Sequence, residues 1–191
     1  MNRLKRQLNA IVIIAIAAFL LLTGSNAVAQ KQEHISATAM GTSTQLGRIV
    51  NVDFRIFGKS SGEEQQALLQ AFKDSGSQGL ANAVEKMRAK GRIAITGTLG
   101  YDVNYIREFK MKDGSRRIRF VTDRPIRFGE AWSSSRSMDY ELCLGEIIIS
   151  AKKGGSSGTL MPAAMLKLTK KGEIEIETYQ NPWKLQNIRI W

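Results

Sequence analysis

His34 and Cys143 are the only histidine and the only cysteine among 191 residues, and this bounds the chemistry before any fold is considered. A Ser-His-Asp or Cys-His pair needs an imidazole held by packed structure. His34 lies near the start of the predicted mature chain, where segments tend to be loosely held and side chains exposed. Cys143 sits inside the apolar run Tyr140-Glu-Leu-Cys-Leu-Gly-Glu-Ile-Ile-Ile149, the setting of a small buried thiol rather than a reactive one. One of each cannot supply the four Cys and His ligands of a structural zinc site. Glu173, Glu175 and Glu177 project from one face of a predicted strand and could gather a hard cation. Lys167, Lys170 and Lys171 relieve the repulsion between them, so a solvated strand face is the simpler expectation. Ser133, Ser134, Ser135 and Ser156 could each pair with a lysine as a nucleophile, yet no spacing singles one out. The glycines at 97–100 and 154–158 lack the strand, helix and lysine of a phosphate loop. No catalytic residue, metal or cofactor is expected.

A basic hairpin is the strongest functional candidate. Between Arg107 and Arg127 lie eight basic residues against the acids Glu108, Asp113 and Asp123. Two kinds of site are expected there. Tyr101, Tyr105, Arg107, Phe109 and Trp132 could line a pocket for an apolar or anionic ligand, the arginine stacking on rings or forking around an anion. Lys112, Arg116, Arg117 and Arg119 could instead present a surface to an anionic partner. The purely structural alternative is a solvated strand whose charges block edge-to-edge association.

The N-terminus indicates where those partners would be met. Arg3, Lys5 and Arg6 precede the 13-residue apolar stretch Ala10 to Leu22, and Ala27-Val28-Ala29 supplies a small-residue cleavage pattern. Together they predict a signal peptide at 1–29, cleaved after Ala29, and an exported protein in the periplasm or outside the cell. Thirteen residues fall short of the roughly 20 that span a bilayer, so the mature chain is not expected to be an integral membrane protein. Removing the three basic residues of the signal lowers the net charge from +11 to +8. Outside the cytoplasm such a charge points to lipid head groups, envelope polysaccharide or another protein rather than nucleic acid.

The elements that must position these side chains are mostly strands. Val50, Val52, Phe54 and Ile56 alternate with Asn51, Asp53 and Arg55, the period of a half-buried strand; the Thr-, Ser- and Ala-rich segment 35–45 is its expected partner. Ser61-Gly-Glu-Glu64 is a capping box that opens a helix over 63–74. Gly76 should end it and Ser77 should cap a second helix carrying Leu80, Ala83, Val84 and Met87 on one face. Strands resume at Arg92 to Leu99. Tyr101 to Met111 and Arg116 to Asp123 form a hairpin about Asp113-Gly114, with Tyr101, Val103, Tyr105, Phe109 and Met111 expected on one face. Phe128 to Ser137 is an aromatic-centred loop. Met138 to Lys152, Thr159 to Thr169, Glu173 to Tyr179 and Trp183 to Trp191 complete the chain.

The expected fold is mainly β (α+β). Short turns impose antiparallel pairing, giving a meander of about eight strands in a small barrel or strongly curved sheet, with an inserted two-helix hairpin at about 62–90, all in one domain at 30–191. A lipid-facing outer-membrane barrel would share the strand count and the terminal aromatic Trp191, but Arg189, Asn187, Leu185 and Trp183 do not make a continuous apolar stripe. Gly91 to Ile106, Arg116 to Trp132 and Asn181-Pro-Trp-Lys-Leu185 resemble a group of exported bacterial proteins without an established activity. The resemblance therefore implies export and transfers no activity, substrate or catalytic residue. Two functions remain: an exported binding protein with a cavity of ~300 Å³ or more between sheet and helices, or a cell-envelope interaction module with a filled core and a basic patch. A histidine-free hydrolase is a distant third.

Overall fold

The computed structural model describes residues 32–126, 140–170 and 172–191. The alternating segments become nine strands: β1 (Glu33–Met40), β2 (Ile49–Ile56), β3 (Gly91–Ile95), β4 (Tyr101–Lys110), β5 (Arg116–Thr122), β6 (Leu142–Ile149), β7 (Ser157–Leu168), β8 (Ile174–Thr178) and β9 (Trp183–Ile190). Consecutive strands from β1 to β7 pair antiparallel, β7 pairs with β9, and β9 returns to β1. Eight strands thus close an antiparallel barrel, and β8 is added outside it on the C-terminal half of β7. Closure leaves no free edge within the barrel itself.

Because strand side chains alternate, closure sends one set inward. Ile35, Ala37 and Ala39 of β1, Val52, Phe54 and Ile56 of β2, Ile118 and Phe120 of β5, Cys143 and Ile147 of β6, and Trp183 and Leu185 of β9 fill the interior. The rings of Phe54 and Phe120 meet at a tilt of 40°, 4.6 Å between centroids. Phe120 lies across Gly145 of β6, its register partner. A Cβ on Gly145 would stand 2.1 Å from that ring, so the glycine is what lets the aromatic occupy the barrel axis.

The helical insertion follows β2. Ser61 caps α1 (Gly62–Glu85) with both halves of the capping box: its hydroxyl accepts from the Glu64 amide at 3.1 Å, and the Glu64 carboxylate accepts from the Ser61 amide at 2.8 Å. The two expected helices are one assigned helix broken internally at Ser75 and Gly76, where Gly76 takes φ 62°. The halves pass so closely that a Cβ on Gly79 would lie 2.5 Å from the Ala71 carbonyl oxygen. Ser77 does not act as a cap; its hydroxyl accepts from the Leu166 amide of β7 at 3.1 Å and pins the helix to the barrel. The helix stops at Glu85 rather than 90. Beyond it the backbone is claimed by β4, with Asn104 Nδ2 donating to the Met87 carbonyl at 2.8 Å and the Lys90 amide to Val103 at 2.7 Å.

Leu68, Ala81 and Val84 of α1 pack on Leu142, Leu144 and Ala164, outside the barrel wall. β6 is therefore apolar on both faces, which is why its sequence reads as a continuous run rather than an alternation. Simple alternation would put Leu160, Ala164, Leu166 and Leu168 on one face of β7, and the structure separates them. Leu160 faces inward, whereas Ala164 and Leu166 meet the helix, because the register with β6 shifts around Pro162. Proline tolerates such a bulge since it has no amide to donate.

Gly145→Ala is expected to lower stability by about 1–3 kcal/mol, the usual range for overpacking. Adding Phe120→Leu should recover part of that loss. Denaturant titration of the two single variants and the double variant checks the coupling.

Candidate functional site

The site is built on the outer wall of β4 and β5, and its geometry turns on one irregularity. Val103 pairs with Thr122 but Tyr105 pairs with Val121, so Asn104 is an extra residue on β4. The bulge reverses the faces beyond it. Tyr101 packs against the barrel core, while Tyr105 emerges on the outside under α1. Tyr101 and Tyr105 therefore do not line one pocket, which corrects the single aromatic face expected for 101–111. Burial pushes the Tyr105 hydroxyl above its ordinary value, with Arg107 partly opposing and Glu64 adding to the shift, so it remains a proton donor.

Tyr105, Arg107 and Phe109 then follow one another on the outer face. The register sets two rows across the strands. Tyr105 of β4, Val121 of β5, Leu144 of β6 and Met161 of β7 form an apolar row. Two residues further along each strand, Arg107, Arg119, Glu146 and Thr159 form the next row, which Lys184 of β9 continues. Arg107 and Arg119 are directly opposed like charges, a pairing that costs stability. Both guanidinium groups lie over Phe109, at 5.9 and 5.8 Å from the ring centre. Glu146 takes Arg119 at 2.7 Å and Arg117 at 3.7 Å. Two of the three arginines thus share one carboxylate, Arg107 contacts the ring instead, and Phe109 remains 37% exposed between them.

Arg116 is not part of this surface. It turns to the other face and binds Glu33, with Glu108 at 3.5 Å and Lys59 beyond at 2.5 Å from Glu108. The hydrogen bond to Glu33 holds the Arg116 guanidinium above its ordinary value. This ion cluster ties β1, β4 and β5 to the segment that leads into α1. Lys112 is exposed in the β4–β5 turn, and Trp132 lies outside the described residues.

The groove beneath α1 has a volume of about 170 Å³ and is lined by Leu69, Phe72, Tyr105, Leu144 and Ile174 among others. That is smaller than the cavity expected of a carrier for a drug-sized ligand. A second, polar concavity of about 380 Å³ lies on the wall of β1, β2 and β9 around Ser36, Thr38, Asn51, Asn187 and Arg189.

His34 differs from its expected place in a loose terminal segment. It belongs to β1 and faces Asp53 at 3.2 Å, and Asp53 also accepts from Thr96 Oγ1 at 2.6 Å. Cys143 is fully buried, and burial raises its thiol far above the ordinary range. Glu177 is held by Lys167 and by the Tyr140 hydroxyl at 2.8 Å, which lowers its pKa. Among the described residues, no group of three His, Cys, Asp or Glu could hold a metal ion.

Two outcomes test this electrostatic assignment. Burial works against the charge of Glu108, but the hydrogen bonds and charges of Lys59 and Arg116 outweigh it and lower its pKa. Its contribution is therefore complete above the unfolded carboxylate value of about 4.3 and is lost as pH falls through the depressed folded value. Glu108→Gln should cost about 1–2 kcal/mol at pH 7, and its denaturation midpoint should converge on that of the wild type in acid. Cys143 should resist a thiol reagent in buffer and react at once in denaturant. Comparison of the chain with protein-family models, curated proteins and solved structures finds no match.

Proposed function

We propose that this protein is an exported interaction module of the cell envelope that presents Arg107, Arg117 and Arg119 to anionic lipid head groups. The observation that carries the proposal is the opposed pair Arg107 and Arg119 flanking the partly exposed Phe109, with Glu146 engaging Arg119 and Arg117 but not Arg107. A phosphate between the two guanidinium groups would relieve the repulsion that the strand register imposes. Phe109 adds an apolar contact where head groups meet acyl chains.

The barrel interior supports an interaction role over transport of a large ligand, since Phe54, Phe120 and Trp183 occupy it. The outer wall supports binding at a membrane surface over spanning it. His34, Ser36, Asn51, Asp53, Arg55 and Arg92 alternate with the core-facing residues of β1 to β3 and so point outward, the reverse of a lipid-facing barrel. No helix among the described residues is long and apolar enough to cross a membrane.

Sedimentation with vesicles tests the proposal. Binding is expected to vesicles containing phosphatidylglycerol and not to those of phosphatidylcholine alone, and to weaken with salt. Arg117→Gln and Arg119→Gln should each cost about 1 kcal/mol, roughly fivefold in partitioning. Equal binding to both vesicle types, or indifference to both substitutions, would overturn it.

A further inference from the structure

The apolar groove and the arginine pair are adjacent rows of the same wall. Tyr105, Val121 and Leu144 form the floor of the groove, and Arg107, Arg119 and Glu146 stand two residues further along the same three strands. Two residues of strand are about 7 Å, within the length of an arginine side chain. From the floor the groove runs beneath Leu69 and Phe72 of α1 to Ile174 of β8. There it meets a strip of apolar side chains, Leu168, Ile174 and Ile176, which are 62, 51 and 47% exposed. Their register explains the strip: Leu168 pairs with Ile174 and Leu166 with Ile176, so the β7–β8 ribbon has one apolar face. Lys167, Glu175 and Glu177 take the opposite face.

A charged pair at one end and an apolar trough leading away from it fit one ligand chemistry. We propose that this surface binds a single-chain anionic amphiphile, its acyl chain lying under α1 toward β8 and its carboxylate between Arg107 and Arg119. The proposal deepens the preceding one, because it rests on the same arginines as an anion site. The groove volume of about 170 Å³ suits a short acyl chain rather than a drug-sized ligand. The nearest acid on the helix does not oppose the carboxylate as a free charge, since Glu64 is paired with Lys90 at 2.7 Å. Arg107 makes its described contact with the Phe109 ring rather than with a carboxylate, and so it is available to an incoming anion.

The test is titration calorimetry of the full chain with decanoate, kept below its micellar concentration, and with decanol. Decanoate should bind at one site and more tightly than decanol. Arg107→Gln with Arg119→Gln should weaken decanoate at least tenfold and leave decanol unchanged. Leu69→Trp, which fills the groove at a position 37% exposed, should weaken both at least tenfold while vesicle binding persists; Ile174→Trp serves as a second groove-filling variant. Absence of decanoate binding up to millimolar concentration, or binding that neither tryptophan variant alters, would overturn the inference while leaving vesicle binding intact. Groove binding of decanoate without any vesicle binding would instead overturn the membrane-surface role and support the amphiphile site.

Discussion

The rest of the structure depends on β7 pairing along both of its edges. One edge carries β6, and the other carries β9 near its start and β8 near its end. The first two ladders close the barrel, because β9 leads directly to β1. Once the ring is shut, every inward side chain is removed from water, and the hydrophobic gain accrues to all eight strands together. The third ladder lets β7 leave the barrel and form the ribbon against which α1 rests. A strand twelve residues long is needed to serve all three, and β7 is the longest of the nine.

Closure also explains how a surface site arises on a fold whose interior is full. The interior accepts Phe120 only because Gly145 offers no side chain, and the axis is then occupied. Binding chemistry is left to the outer wall. There, helix α1 covers the part of β4 to β7 nearest Tyr105, and the arginines stand beyond its cover. The boundary between covered and open wall puts an apolar row beside a cationic one. An ion cluster of Glu33, Glu108, Arg116 and Lys59 holds the strand ends and the approach to the helix in place. Arg116 thus serves structure on one face of β5 while Arg117 and Arg119 lie on the other with Glu146, a division that follows from strand alternation.

Much of this was legible in the residues. The alternation in 48–57, the Asp113-Gly114 turn, the capping box at Ser61 and the doubly buried run of β6 all have local causes, so strands, hairpin and helix start could be placed from sequence. The separation of Arg116 from Arg117 and Arg119 has the same local cause, although the basic surface expected from sequence grouped all three. The bulge at Asn104 was not, because nothing in Tyr101 to Phe109 marks an extra residue. It arises where β4 must follow β5 and also give the Asn104 side chain to the end of α1. The same holds for the shift at Pro162 and for Ser77, whose hydroxyl is taken by a strand 89 residues away rather than by its own helix.

The chain alone determined the kinds of element, their order, their antiparallel pairing and the poverty of groups for catalysis, since these follow from side-chain period, turn chemistry and composition. Only the tertiary structure decided that the sheet closes, that one added strand lies outside it, and that Tyr105 joins Arg107 and Phe109 while Tyr101 turns to the core. The physical reason is that closure and register are set by contacts between residues far apart in sequence. A single inserted residue reverses every side chain beyond it, and no local pattern records where that reversal falls.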